Sequence, residues 1–336
     1  MPTLPAPDDL QYLIYEVLSQ TGYDGDAAAL AQRVRQLDHG LPAEDEFSVI
    51  CAWLGRCRLA HKLDQRPTPP SARDRYQVPD LLAEFDRGGA VLVEVKVCND
   101  QTLSFKPDYY GRLRAYADLV GKPLLIAWRF RGWWTLFDVR HLKLAKVNYN
   151  IAFGEASRQN LMNILAGDVA YELGPGAGIH FEMTKEELIH REQGSDGGSE
   201  EEWRVRVTDT FITDGEGERR HDLHPETQQL LATFPLEERD AHADPKVIKS
   251  FVPGVDQVQF AHSALVQLLA WESPTDRVPH WRSLVGVPVI TRSIGDFAVA
   301  LDRALAERVV RYVIHQQPAE WPDFVPKGET AKAEAP

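Results

Sequence analysis

Apolar residues recur first at helical spacing. Leu10, Leu13, Ile14, Val17 and Leu18 mark a helix over Asp9–Ser19, and Gly22-Tyr23-Asp24-Gly25 ends it before Asp26 caps a second helix over Ala27–Leu37. Gly40-Leu41-Pro42 breaks the chain. A third helix is expected from about Ala43, with Phe47, Ile50, Cys51 and Leu54 on one face and a stop near Gly55. Pro67–Arg75, rich in Pro, Ser and Arg, reads as an exposed loop. The period then changes to two. Asp80–Asp86 and Ala90–Val97 read as strands joined at Arg87-Gly88-Gly89, and the second is apolar on one face and on part of the other, as an interior strand is. Pro107-Asp108 opens another helix with the stripe Tyr109, Leu113, Tyr116 and Val120, closed by Gly121-Lys122-Pro123. Leu124–Phe130 and Trp133–Val139 form a further strand pair around Arg131-Gly132.

The order helix, strand pair, helix, strand pair predicts an α/β domain over residues 41–150, a mixed sheet flanked by helices, preceded by a helical segment at 1–40. Residues 151–336 read as an acidic α+β module. In it, 194–202 is expected to be an acidic turn or disordered insertion and 203–212 a strand; helices are expected near Gln257–Trp271 and Gly295–Ile314, and a poorly ordered tail after Pro318. The chain shows no internal repeat.

Charge divides the chain in the same place. Its formal net charge of −13 argues against a polyanionic partner, yet residues 51–150 hold 17 Lys and Arg against 10 Asp and Glu, while residues 151–250 hold 10 against 21. The first segment suits a nucleic acid and the second repels one. Cys51, Cys57 and Cys98 form no CxxC pair, so reduced thiols are expected rather than a disulfide framework or zinc knuckle. With no apolar run long enough to span a bilayer and no signal-like N-terminus, a cytoplasmic protein without a membrane partner is expected.

The candidate chemistry lies in the first strand pair. A turn centred on Gly88 sets Asp80 opposite a residue near Lys96, and strand periodicity puts Glu94 and Lys96 on one face with Val93, Val95 and Val97 on the other. Two carboxylates and an ammonium are costly to desolvate, and such a group is seldom kept for stability alone. They suit phosphodiester hydrolysis. Asp80 and Glu94 offer oxygen ligands for Mg²⁺ or Mn²⁺, the Val95 carbonyl a further one, and Lys96 can orient a water or stabilise developing charge.

Pro79-Asp80, followed fourteen residues on by Glu94-Val95-Lys96, resembles the signature of the PD-(D/E)XK nuclease superfamily. From Glu44 to Val139 the order of elements is similar to archaeal Holliday junction resolvases: a Glu-bearing helix, the Asp hairpin, Glu-Val-Lys-Val, a helix, then Leu124–Phe130 and a Trp-rich strand. The resemblance implies a restriction-endonuclease-like fold, Asp80, Glu94 and Lys96 as catalytic residues, and a metal-dependent endonuclease acting on DNA, in restriction, phage defence or DNA repair. It also implies an acidic residue from the first helix, which Glu44 fits best, with Glu46 as a rival. The longer loop before Asp80, the N-terminal helices and the C-terminal extension depart from the resolvases, so junction specificity is not implied. A nuclease-like fold serving only as a nucleic-acid or protein interaction module is the alternative, and RNA is an alternative substrate. Two copies would suit cutting of both strands.

Lys106, Arg112, Arg114, Arg129 and Arg131 flank the proposed site and can contact the phosphate backbone, although helix arginines also simply solvate an outer face. Trp128, Trp133 and Trp134 can stack on bases, but in strands of this composition they read first as core. His221-Asp222-Leu223-His224 reads as a polar loop and His61 as a structural histidine.

Overall fold

The computed structural model describes residues 43–65, 67, 69–193, 199–272, 284 and 294–327; the two helices expected before residue 40 lie outside them. Helix α1 (43–53) carries Phe47, Ile50 and Cys51 on its buried face, Leu54 extends that face, and Gly55 with φ +90° ends the turn where a side chain is disfavoured. Strand β1 (Cys57–Lys62) forms one edge of the sheet. The loop that follows is not wholly irregular, since Ala72–Arg75 winds into a single helical turn, α2.

Strands β2 (Leu81–Phe85) and β3 (Gly89–Val97) form the expected hairpin, in antiparallel register with Phe85 opposite Gly89 and Leu81 opposite Val93. The loop is therefore Asp86-Arg87-Gly88, three residues ending in Gly88 at φ +86°. Strand β4 (Thr102–Phe105) leads to helix α3 (Pro107–Val120), which starts with Pro at its first position and ends on left-handed Gly121. Its buried face is Tyr110, Leu113 and Ala117; Val120, expected in the stripe, is 44% exposed, because the face drifts toward Ala117 at 3.6 residues per turn. Strand β5 (Leu124–Phe130) then returns parallel to β3, and β6 (Trp133–Asp138) pairs with it across Arg131-Gly132, both at positive φ as a tight hairpin turn requires. The order β1-β2-β3-β5-β6 is a mixed sheet.

The two faces of this sheet define two cores. Val91, Val93, Val95, Leu125, Ala127, Trp134 and Leu136 pack toward α1, whereas Leu92, Ile126, Trp128 and Phe137 pack with α3 and with a small sheet of β4, β7 (Lys143–Leu144) and β8 (Tyr149–Ala152). No helix among the described residues is long and apolar enough to cross a membrane.

Beyond residue 150 the chain forms α4 (Phe153–Arg158), a π-helical turn at Met162–Ala166, β9 (Ala170–Leu173), and a long hairpin of β10 (Gly178–Gln193) and β11 (Ser199–Thr213). Then follow β12 (Arg219–Arg220), α5 (Pro225–Thr233), β13 (Leu236–Ala243), β14 (Lys246–Pro253), β15 (Val258–Phe260), α6 (Ala261–Glu272), α7 (Phe297–Ala306) and β16 (Val310–Ile314). The core on the α1 side runs on without a break into Leu165, Tyr171, Leu230, Leu265 and Leu301.

Several expectations for this half are corrected. Of the stretch 194–202, residues 194–198 lie outside the described residues, whereas 199–202 belong to strand β11, where Arg191 pairs with Glu201 across the ladder at 2.7 Å. The stretch expected as one helix from Gln257 begins as strand β15, because Gln259 is drawn into the sheet by Tyr171 Oη and the Thr233 carbonyl. The stretch ending at Ile314 is α7 followed by β16; Arg308 at φ +61° ends the helix and the β-branched Val310 and Val313 follow it. The chain after Pro318 is also tied down as far as it is described. Ala319 N–H donates to the Arg158 carbonyl at 2.8 Å, and Val325 is buried against the Gly88 turn.

Candidate metal centre

Three elements bring charge to one end of the sheet. Continuing the β2–β3 register by one residue sets Asp80 against Glu94, two residues before Lys96, because the turn is centred on Arg87 rather than on Gly88. Asp80 is locked there because its Oδ2 accepts the Val95 N–H at 2.8 Å. Glu94 and Lys96 share the α3-facing side of β3, as alternation requires, and Glu94 is buried to 1% exposure.

Lys96 Nζ donates to Glu94 Oε1 and, at 3.2 Å, to the Val95 carbonyl. Tyr109 Oη, from the first turn of α3, donates to the same Oε1 and accepts from Lys96 Nζ at 3.3 Å. Glu94 Oε2 is buried without a hydrogen-bond partner. Burial is the main force raising the Glu94 carboxyl, opposed by Lys96 and reinforced by the Asp80 charge, and the result is about 7. Burial likewise raises Asp80, against the pull of Lys96. For Lys96 burial acts downward, but the Glu94 carboxylate, Tyr109 and Asp80 outweigh it and the ammonium is held above its usual range.

Of the three acids of α1, buried Asp45 pairs with Lys62 at 2.7 Å, and Glu44 and Glu46 point to different surroundings. Glu44 pairs with Lys62 at 3.1 Å, and its carboxyl is raised first by burial and next by the charge of Asp80. Glu46 instead accepts from Trp134 Nε1 at 2.9 Å and faces Arg129 at 3.2 Å, with burial raising its carboxyl against the pull of Arg129. Behind it, His262 Nδ1 meets Asp168 Oδ2 at 2.7 Å, both side chains buried. Glu44 is thus the acid whose carboxyl feels the charge of Asp80. Glu46 belongs to a polar link between α1, β6 and α6.

Among the described residues no three His, Cys, Asp or Glu side chains are gathered into a ready-made cation cage. The site offers a pair of carboxylates with Glu44 bearing on it. That set fits a hard cation such as Mg²⁺, which needs only one or two protein carboxylates and keeps several waters. The unpartnered Glu94 Oε2 is what such an ion would satisfy, and the carboxyls raised by one another's charge are what it would relieve. The Val95 carbonyl, in contrast, already accepts from Lys96.

The flanking cations are less uniform than the sequence suggested. Arg112 pairs with Asp108 at 3.1 Å and donates to the Arg73 carbonyl, Arg114 donates to Tyr110 Oη, and Arg129 faces Glu46. Lys106, at the N-cap of α3, and Arg131, in the β5–β6 turn, are exposed. Trp128 and Trp134 are core residues whose indole N–H groups donate to the Cys98 carbonyl and to Glu46, leaving Trp133 as the half-exposed one, edge-on to Phe260. His61 lies exposed on β1, and His224 caps α5 by accepting from Glu226 N–H. Sequence reasoning missed Tyr109 and Lys62. Tyr109 was hidden in an apolar stripe, and nothing in the sequence pairs β1 with the start of α1.

A mixed sheet with helices on both faces forms a restriction-endonuclease-like fold, with an acid leading into β2 and an acid and a lysine two apart on β3. Residues 66–166 match the family model described as archaeal Holliday junction resolvase (hjc). The match takes in Asp80, Glu94 and Lys96, leaves Glu44 outside, and runs past Val139 to the π-helical turn. A solved structure of Hjc, a Holliday junction resolvase from the archaeal hyperthermophile Archaeoglobus fulgidus, is 22% identical over 34% of this chain and 89% of that chain, with a TM-score of 0.29. At that score the fold assignment rests on the sheet and the family match instead. No curated protein matches the chain.

Proposed function

We propose that the domain built on β1–β6 is a divalent-metal-dependent endonuclease that hydrolyses DNA phosphodiester bonds, with Asp80, Glu94 and Lys96 as its catalytic residues and Glu44 as the acid contributed by α1. The observation that carries this reading is the buried Glu94 carboxylate, one oxygen held by Lys96 and Tyr109 and the other left without a partner beside Asp80. Asp80 and Glu94 would hold Mg²⁺ or Mn²⁺. When bound, such an ion polarises a phosphate oxygen and acidifies a water. Lys96, held protonated by its acidic neighbours, stabilises negative charge developing on the phosphate or orients the attacking water. Lys106 and Arg131 guide the phosphate backbone; Arg112, Arg114 and Arg129 are engaged within the fold and contribute less.

The acidic module over 151–336 would select substrate, partner or oligomer, and a homodimer would supply two sites for cutting both strands. Restriction, phage defence and DNA repair are the settings this chemistry serves. The test is cleavage of linear, circular and branched DNA, with RNA alongside, in Mg²⁺ or Mn²⁺. Metal-dependent cutting of DNA supports the reading. Binding without cutting on every substrate would instead support an interaction module with a nuclease-like fold, and preferential cutting of RNA would reassign the substrate.

A further inference from the structure

Glu94 Oε1 receives two donors while Glu94 Oε2, equally buried, receives none. Leaving a buried carboxylate oxygen bare is costly, so whatever fixes which oxygen is bare fixes where a cation can bind. Lys96 alone does not fix it. Its ammonium sits on a flexible stem and is shared with the Val95 carbonyl and Tyr109 Oη. The phenol is the rigid member. A carboxylate accepts only, and the lysine donates to the phenol oxygen, so the single hydroxyl proton of Tyr109 is committed to Glu94.

The ring is placed by the helix that carries it. Tyr109 sits in the first turn of α3, started by Pro107 and anchored through Tyr110 and Leu113, and its ring lies 5.9 Å from that of Phe105 at the end of β4. Lys96 Nζ lies 5.3 Å from the Tyr109 ring centroid, so the tyrosine also restrains the lysine.

We propose that Tyr109 is a positioning residue of the metal centre: by holding Glu94 Oε1 it presents Oε2 alone to a divalent cation and keeps Lys96 beside it. The proposal rests on the metal-dependent reading above. Outer partners of metal ligands typically change metal affinity by about 10–100-fold, and an effect of that size is expected here.

The test is calorimetric titration of the full chain with Mn²⁺ in the absence of DNA, comparing wild type, Tyr109→Phe and Phe105→Leu, with the thermal midpoint of each metal-free protein. Phe105→Leu removes the ring neighbour but no hydrogen bond to Glu94. Tyr109→Phe should weaken Mn²⁺ binding by about 10-fold or more with little change in midpoint. Phe105→Leu should lower the midpoint and leave the affinity near that of wild type. Equal affinity in wild type and Tyr109→Phe overturns the positioning role while leaving the nuclease reading intact, and equal weakening in both variants overturns it in favour of simple packing. A wild type that takes up no Mn²⁺ overturns both readings together.

Discussion

Asp80 Oδ2 accepts the backbone N–H of Val95 at 2.8 Å, so the residue leading into β2 is tied by its side chain to the strand that carries Glu94 and Lys96. This bond converts a hairpin into a site. Without it, Asp80 would sit just outside the paired residues, where a one-residue slip exchanges the faces of a strand.

The pH dependence of the metal-free protein follows from Glu94. Its folded-state value is raised from 4.5 to about 7, chiefly by burial. A raised folded-state value means that the folded chain binds the proton more tightly; the contribution is present in full below about pH 4.5 and is lost as the pH rises through about 7. Relative to Glu94→Gln, the thermal midpoint of wild type should therefore fall between pH 5 and 8, and Mg²⁺ should restore part of it at the upper end. Parallel curves for the two proteins would contradict this.

Glu44 and Glu46 on α1 should behave oppositely. Glu44→Gln is expected to weaken Mn²⁺ binding with a small effect on stability, since Glu44 pairs with Lys62 and feels the charge of Asp80. Glu46→Ala strips Trp134 Nε1 and Arg129 of their buried partner and should cost about 1–3 kcal/mol of stability without changing the Mn²⁺ affinity. Denaturant melts and calorimetry on both variants separate the roles, and reversed results would exchange the assignments.

Much of the nuclease half was legible because its strands advertise themselves. Leu81–Phe85 buries alternate residues and Val91–Val95 is apolar on one face and on part of the other, so the hairpin and the shared face of Glu94 and Lys96 could be read directly. The register was misread because two adjacent glycines hide the turn: Gly89 is already paired with Phe85, and only Gly88 closes the loop. Tyr109 reads as core until α3 is laid on β3. The link of Glu46 to Trp134, the Asp168–His262 pair and the packing of Val325 on Gly88 join residues far apart in sequence, where local periodicity carries no information. The β10–β11 hairpin was half missed for another reason. The outer part of β10 is exposed, so no core face imposes an apolar pattern on it.

The Gly88 turn tests the unexpected order of the C-terminal segment. A Cβ there would meet Val325 at 3.2 Å and Leu165 and Phe324 at 3.3 Å, on a backbone already at φ +86°. Gly88→Ala should destabilise by about 1–3 kcal/mol. Gly55, also at positive φ but with open space around it, should tolerate alanine better in the same denaturant melts. Equal losses would mean that residues 324–325 do not press on the turn.

DNA affinity should depend on Lys106 and Arg131 through charge. Each alanine variant should weaken binding and reduce the slope of log affinity against log salt by about 0.9 for each phosphate that is no longer neutralised. Arg112→Ala, whose guanidinium is held by Asp108 and the Arg73 carbonyl, should leave the slope unchanged. Fluorescence anisotropy across a salt series reads all three, and an unchanged slope for Lys106→Ala and Arg131→Ala would move the DNA path elsewhere.

The most direct measurement is conversion of supercoiled circular DNA to nicked or linear form in Mg²⁺ or Mn²⁺ by wild type, Glu94→Ala and Lys96→Ala. The account predicts cutting by wild type that requires the metal and falls by at least about a hundredfold in each variant, the scale on which removing one transition-state-stabilising group acts. Cutting that persists undiminished in either variant would contradict it.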